Sequence, residues 1–192
     1  FEIWDITDKA NPQMVSTIGP LQAAHKSWWD AKTGYAYLSG TQPGWRGQHL
    51  IIYDLRNPRQ PKWVASWGLP GEGSSGGVSL HHPVVSGNRA YLSYLFGGDM
   101  VILDIADKTH PKMIAHLDFS PPNSGIHTTV PFRGIKVPNS AKGLEDVRNF
   151  LVLSEESFAY NCQELRRQLY IVDATEETKP IPVATFKVPE GD

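Results

Sequence analysis

Apolar runs a few residues long, each closed by a polar turn, recur along the whole chain, and no long stretch keeps the spacing of an amphipathic helix. Four segments superimpose: FEIWDITDKANPQMVSTI, LIIYDLRNPRQPKWVASW, MVILDIADKTHPKMIAHL and LYIVDATEETKPIPVATF. In each, a β-rich run ends in Asp, a Pro follows seven positions later, and a second apolar run begins. This predicts a hairpin of two strands joined by a polar turn. The pairs are Asp5/Pro12, Asp54/Pro61, Asp104/Pro111 and Asp173/Pro180. A carboxylate at the turn's entrance accepts backbone N–H groups that an apolar side chain would leave unsatisfied. Proline has no N–H to give a ladder and belongs at the turn's exit. The four Asp are therefore expected to be structural.

Between the hairpins a second pair recurs. HKSWWDAKTGYAYLSG (25–40) aligns with HHPVVSGNRAYLSY (81–94), and a third copy opens as HTTVPF at 127 and resumes as NFLVLSEE (149–156). The repeating unit is four strands: A from the His, B through the shared Ser, C into the Asp, D after the Pro. Such units at this period predict an all-β fold, a β-propeller of four-stranded antiparallel blades. Residues 1–192 are expected to form a single partial ring of about three and a half blades. These are an outer half-blade at 1–18 and blades at 25–67, 81–118 and 127–187. The stretch 140–149 is expected to be a short helical excursion in the last A–B turn. A β-sandwich is the alternative, but it has no reason to keep one Asp-to-Pro spacing in four hairpins. So few blades do not close a ring. The rest are expected from sequence outside this chain or from a partner segment, in keeping with an opening run, FEIWDI, that reads as mid-domain strand.

FEIWDI, LIIYDL, MVILDI and LYIVDA, each opening an Asp-x6-Pro stretch, resemble LVIVD repeats, a group of bacterial β-propeller proteins. The resemblance spans nearly the whole chain. It implies the fold and carries no activity with it.

In a propeller, strand A is innermost and lines the central channel. His25, His81 and His127 head strand A in three successive units, which would gather three imidazoles round one axis. Neutral imidazole suits zinc, copper and iron, and convergent His side chains suit a catalytic metal with an open position. His25, His81 and His127 are thus the expected ligands of a divalent transition metal: Fe, Cu or Zn. The arrangement is more distantly similar to the methanethiol oxidase (selenium-binding protein) and carotenoid-cleaving oxygenase families, whose inner-strand histidines hold a metal on the axis. The opposing expectation is that these His bond only the neighbouring blade or channel water. His82 could also replace His81 as the inward residue, since adjacent strand residues face opposite ways. His49, His110 and His116 are expected to be structural.

Strand B runs antiparallel to A, so its end returns to the histidines. Glu155 or Glu156 is the expected catalytic residue there, as general base or as a carboxylate orienting an imidazole. Trp45, Arg46, Tyr94, Phe96 and Tyr160, on loops at that end, are candidates to wall a substrate pocket. Trp28, Trp29, Trp63 and Trp67 are expected in packing between blades. Gly73–Gly77 lacks the Lys-Ser/Thr ending and following helix of a phosphate loop, and no serine-hydrolase site is expected.

Composition narrows the partners. The 192 residues carry 18 Lys and Arg against 20 Asp and Glu, a net charge of −2, which disfavours nucleic acid. No apolar run reaches the roughly 20 residues that span a bilayer. One cysteine, Cys162, allows neither an internal disulfide nor a cysteine-rich metal site. Localisation stays undecided. The function expected is a metal-dependent enzyme with redox or hydrolytic chemistry on a small organic substrate. The alternative is a non-catalytic propeller binding a protein or glycan partner through its loop face.

Overall fold

A computed structural model describes residues 1–70, 72, 78–120, 125–139, 144–157 and 167–187, without the side chains of residues 139, 144 and 145. The chain is built of antiparallel strands. β1 (Glu2–Asp5) and β2 (Gln13–Thr17) form a two-stranded sheet. β3 (Ser27–Asp30), β4 (Tyr35–Gly40), β5 (His49–Asp54) and β6 (Lys62–Trp67) form a four-stranded one. β7 (Ser79–Ser86), β8 (Arg89–Phe96), β9 (Asp99–Asp104) and β10 (Lys112–Asp118) repeat it. So do β11 (Ile126–Asn139), β12 (Leu144–Glu155), β13 (Leu169–Asp173) and β14 (Ile181–Phe186). In every four-stranded sheet the strands pair in chain order, and β7 packs beside both β3 and β11. These are propeller blades with their first strands side by side.

The Asp turns form as expected. The N–H two residues on donates to each carboxylate: Thr7 to Asp5, Arg56 to Asp54, Ala106 to Asp104 and Thr175 to Asp173, all at 2.8–2.9 Å. Each Pro directly precedes the outer strand, so its missing N–H costs no ladder bond. Every one of these hairpins also carries a bulge at the same place, which the letters did not announce. The register skips Val15, Val64, Ile114 and Val183, each three residues after its Pro. A bulge raises the local twist, and four matched ones give the four outer strands one shape.

Packing follows the repeat. The face of β3–β6 carrying Tyr37, Leu50 and Ile52 buries against Ala90, Leu92, Val101 and Leu103 of the next sheet. The equivalent face of β7–β10, with Tyr91, Met100 and Ile102, buries against Leu151, Leu153, Tyr170 and Val172. Burial of apolar area at about 25 cal/mol per Å² makes these seams the main source of stability. On the last sheet the same face presents Phe132, Ile135, Phe150, Val152 and Ile171 as an open apolar groove.

One expectation fails. Residues 144–149 are strand, not helix, because β11 and β12 run on as a long two-stranded arm paired as far as Asn139 and Leu144. β-branched Ile135, Val137 and Val147 favour the extended chain there.

Candidate metal centre

Each aligned histidine is the extra residue of a bulge, His81 and His127 at the start of their strands and His25 just ahead of β3. In β7–β8 the register passes from Leu80↔Tyr94 to His82↔Ser93 and skips His81. In β11–β12 it passes from Ile126↔Glu155 to Thr128↔Ser154 and skips His127. Ahead of β3, the His25 N–H donates to Ser39 O while the Ser39 N–H donates to Lys26 O, so again two residues oppose one. Bulges re-aim a side chain that strict alternation would send elsewhere. A Ser late in β4 and its counterpart in β8 tie their sheets to the next beside these points. Ser39 Oγ donates to Leu80 O at 2.6 Å, and Ser93 Oγ lies 2.8 Å from Thr129 Oγ1. The regular spacing of the imidazoles therefore comes from backbone pairing and from hydroxyl bridges between sheets.

The three rings meet. His25 and His81 have centroids 4.6 Å apart, and His81 and His127 4.3 Å. His81 Nδ1 lies 2.9 Å from the His127 carbonyl oxygen, which can only accept, so Nδ1 carries the proton and Nε2 keeps its lone pair. His25 Nε2 approaches that lone pair at 2.8 Å and must be the donor. Glu156 Oε2 stands 3.6 Å from His81 Nε2 and is buried without a hydrogen-bond partner among the described residues. His81, His127 and Glu156 place one ligand atom each within 4.8 Å of one another and could hold a metal ion.

The electrostatics favour neutral rings with free lone pairs. Burial lowers the pKa of His81 and of His127, outweighing for His127 the pull of Glu156 in the other direction. Burial first, then the nearby His81 and Lys26, brings His82 down to about 4. A tetrahedral zinc with nitrogens 2.0–2.1 Å away sets its donor atoms about 3.3 Å apart. The His81–Glu156 separation is near that value, whereas His25 and His81 would need to spread by about 0.5 Å to share an ion.

The other expected site residues are placed differently from one another. Glu155 turns away from the histidines: its carboxylate accepts the Gln168 N–H at 2.7 Å and the Tyr170 hydroxyl at 3.2 Å. Glu156, one residue on, supplies the carboxylate at the rings. Tyr94 is fully buried with its hydroxyl toward Glu72, Phe96 is exposed, and Trp45 stacks on His49 at 3.8 Å. Arg46 adjoins that stack in the chain. Tyr160 lies outside the described residues, as does the run 73–77. That run, Gly-Ser-Ser-Gly-Gly, spells G-x-S-x-G letter for letter, so the pattern is present where a serine hydrolase was set aside. His82 does not replace His81; its Nδ1 faces Thr128 Oγ1 at 3.1 Å. His49 is buried between Gly47 O and Gln42, His110 caps its own turn beside Asp107, and His116 pairs with Asp99 at 2.5 Å. Thr128 escaped the sequence reading. Its signal was faint: a hydroxyl residue directly after an aligned His.

Repeated four-stranded blades with matched Asp turns define a β-propeller assembled from a sequence repeat. Residues 83–118, which hold the second half of β7 and all of β8 to β10, match the family model of the LVIVD repeat. No curated protein matches the chain. Among the described residues no helix is long and apolar enough to cross a membrane.

Proposed function

We propose that this protein is a metal-dependent propeller enzyme in which His81, His127 and Glu156 hold a divalent transition metal at the inner ends of adjacent blades. The observation that carries this reading is the buried, unpartnered Oε2 of Glu156 facing a histidine nitrogen whose lone pair is free of its own proton. A buried carboxylate oxygen without a donor is expensive, and a cation in that place would satisfy it. Two imidazoles and one carboxylate form a donor set that suits non-haem iron and catalytic zinc alike, each with positions left for substrate. Such an ion supplies Lewis acidity or redox capacity to a small organic molecule. The chain's own part is to orient the donors: the His127 carbonyl fixes the His81 ring, and the bulges aim both rings inward. His25 lends an N–H beside the site, available to hydrogen-bond a ligand there once it leaves His81.

The test is metal analysis of the purified protein, followed by chelation and titration with Zn2+, Fe2+ and Cu2+. One ion per chain is expected, lost in His81→Ala and His127→Ala with the circular dichroism of the sheets unchanged. A protein that takes up no ion under any of these titrations overturns the reading and leaves a scaffold that binds partners through its loops.

A further inference from the structure

Thr128 Oγ1 sits between two imidazole nitrogens, 2.6 Å from Nδ1 of His127 and 3.1 Å from Nδ1 of His82. A hydroxyl has one proton, so at most one of those nitrogens accepts from it and the other must donate to it. Two ordered chains are consistent with this. If His82 donates and His127 accepts, the remaining proton of His127 lies on Nε2, the nitrogen left to offer an ion once Nδ1 is taken by Thr128. A proton there would block that lone pair, and Glu156 Oε2 accepts no hydrogen bond from it. If His127 donates and His82 accepts, Nε2 of His127 is bare, like Nε2 of His81. His81, His127 and Glu156 then each offer a lone pair to one site, where the His25 N–H is the proton directed at them.

We propose that Thr128 is the positioning residue of the metal centre: its hydroxyl accepts the Nδ1 proton of His127 and passes its own to His82, which holds the His127 ring in the tautomer and rotation that present Nε2 to an ion. The inference rests on the metal reading above and adds a three-residue chain, His127–Thr128–His82, in which only the first member touches the ion. It assigns His82 a task as well: to be the acceptor that orders the hydroxyl. The two ligand rings are then fixed by different means, one through a main-chain carbonyl that substitution cannot remove and one through a hydroxyl that it can. The site is therefore mutable at Thr128 in a way it is not at His81.

The test uses metal-stripped protein titrated with Co2+ and followed by visible absorption, with nitrogen NMR of the histidines as the tautomer readout. Thr128→Val, which keeps the shape and removes the hydroxyl, should weaken Co2+ binding about 10- to 100-fold. It should also remove the hydrogen-bonded Nδ1–H signal of His127. Thr128→Ser should restore both, and Thr128→Ala serves in place of the valine variant if that one does not fold. If wild-type protein binds Co2+ and the hydroxyl-less variants bind it equally well, the positioning role is wrong and the metal centre stands. If wild-type protein shows no Co2+ spectrum and takes up no Zn2+, Fe2+ or Cu2+, the metal reading itself falls and this inference with it.

Discussion

The ends of the sheets that carry the Asp turns and the end that carries Glu156 treat their carboxylates in opposite ways. At one end, Asp5, Asp54, Asp104 and Asp173 meet backbone N–H groups two residues on, and the turns beyond them are closed again by Asp8, Asn57 and Asp107. Hydrogen bonds from Thr7 hold the Asp5 pKa below the usual carboxylate range, and those from Arg56 take Asp54 down to about 2. At the other end, Glu156 has a buried oxygen that meets no donor, and three imidazoles face one another across the seams between sheets. Repetition alone does not separate the two ends, since both the Asp and the His recur. Satisfaction separates them. A polar group whose partners are local and complete is scaffold; one held buried without them is waiting for something else.

The largest break in this comparison is expected from His81→Ala, which removes the ring that touches both of its fellows. Metal binding should disappear in an equilibrium titration while every Asp turn survives, read as unchanged amide chemical shifts around Asp54 and Asp104. Retained affinity would show that unsatisfied groups here do not mark a site.

Glu72 sharpens the point, because it is a second buried carboxyl with an unpartnered oxygen but, among the described residues, is not part of a group that could hold a metal. Its other oxygen accepts the Leu69 N–H at 2.7 Å and lies 3.4 Å from the Tyr94 hydroxyl. Burial above all, with a smaller push from Asp99, raises its pKa from 4.5 to about 7. An acid that binds its proton more tightly when folded contributes stability below its unfolded pKa and loses it as pH climbs through the folded one. The protein should therefore weaken between about pH 4.5 and 7 on this account, by roughly 3 kcal/mol at most. Glu72→Gln should match wild type in urea melts at pH 4.5 and exceed it at pH 8. Equal stability at both would mean that the carboxyl is hydrated and its loneliness only nominal.

Glu156→Gln comes next. It should reduce metal affinity about 10- to 100-fold and leave the metal-free protein no less stable, since it replaces an unpartnered buried oxygen with an amide. A pronounced loss of stability would place Glu156 with the structural carboxylates instead.

The smallest effects belong to the turns. Asp173 is largely buried: desolvation would raise its pKa, but bonds from Thr175 and Arg148 outweigh it and lower it. Asp173→Ala should cost about 1–2 kcal/mol, and Asp5→Ala, on an exposed turn, less. Neither should alter metal uptake.

These contrasts also account for what could be read from the letters. An Asp turn is a local device, its donor two residues away, so its spacing survives in the sequence and the hairpins were legible from four copies. The alignment of His25, His81 and His127 was legible for the same reason. The choice of Glu156 over Glu155 was not. It depends on where β12 leaves its partner and on the bulge at His127, and a bulge shifts pairing by one residue without any residue type that announces it. Strict alternation would have let His82 face inward. The skip at His81 sends it instead to Thr128, a residue of the neighbouring sheet. Tyr94 looked like a pocket wall because it lies near a strand end beside a glycine-rich turn, and it lies buried because it packs in the core with Leu69, Leu80 and Val101.

One consequence follows from the seam that the histidines straddle. His81 belongs to one hydrogen-bonded sheet, His127 to the next with Glu156 directly after its second strand, and among the described residues no ladder bond joins the two. An ion held by all three would act as a rivet through two plates, and its grip would depend on how closely the plates lie. Changes at hydroxyl bridges such as Ser93 to Thr129, out of reach of the ion, would then be felt as a change in which cation fits.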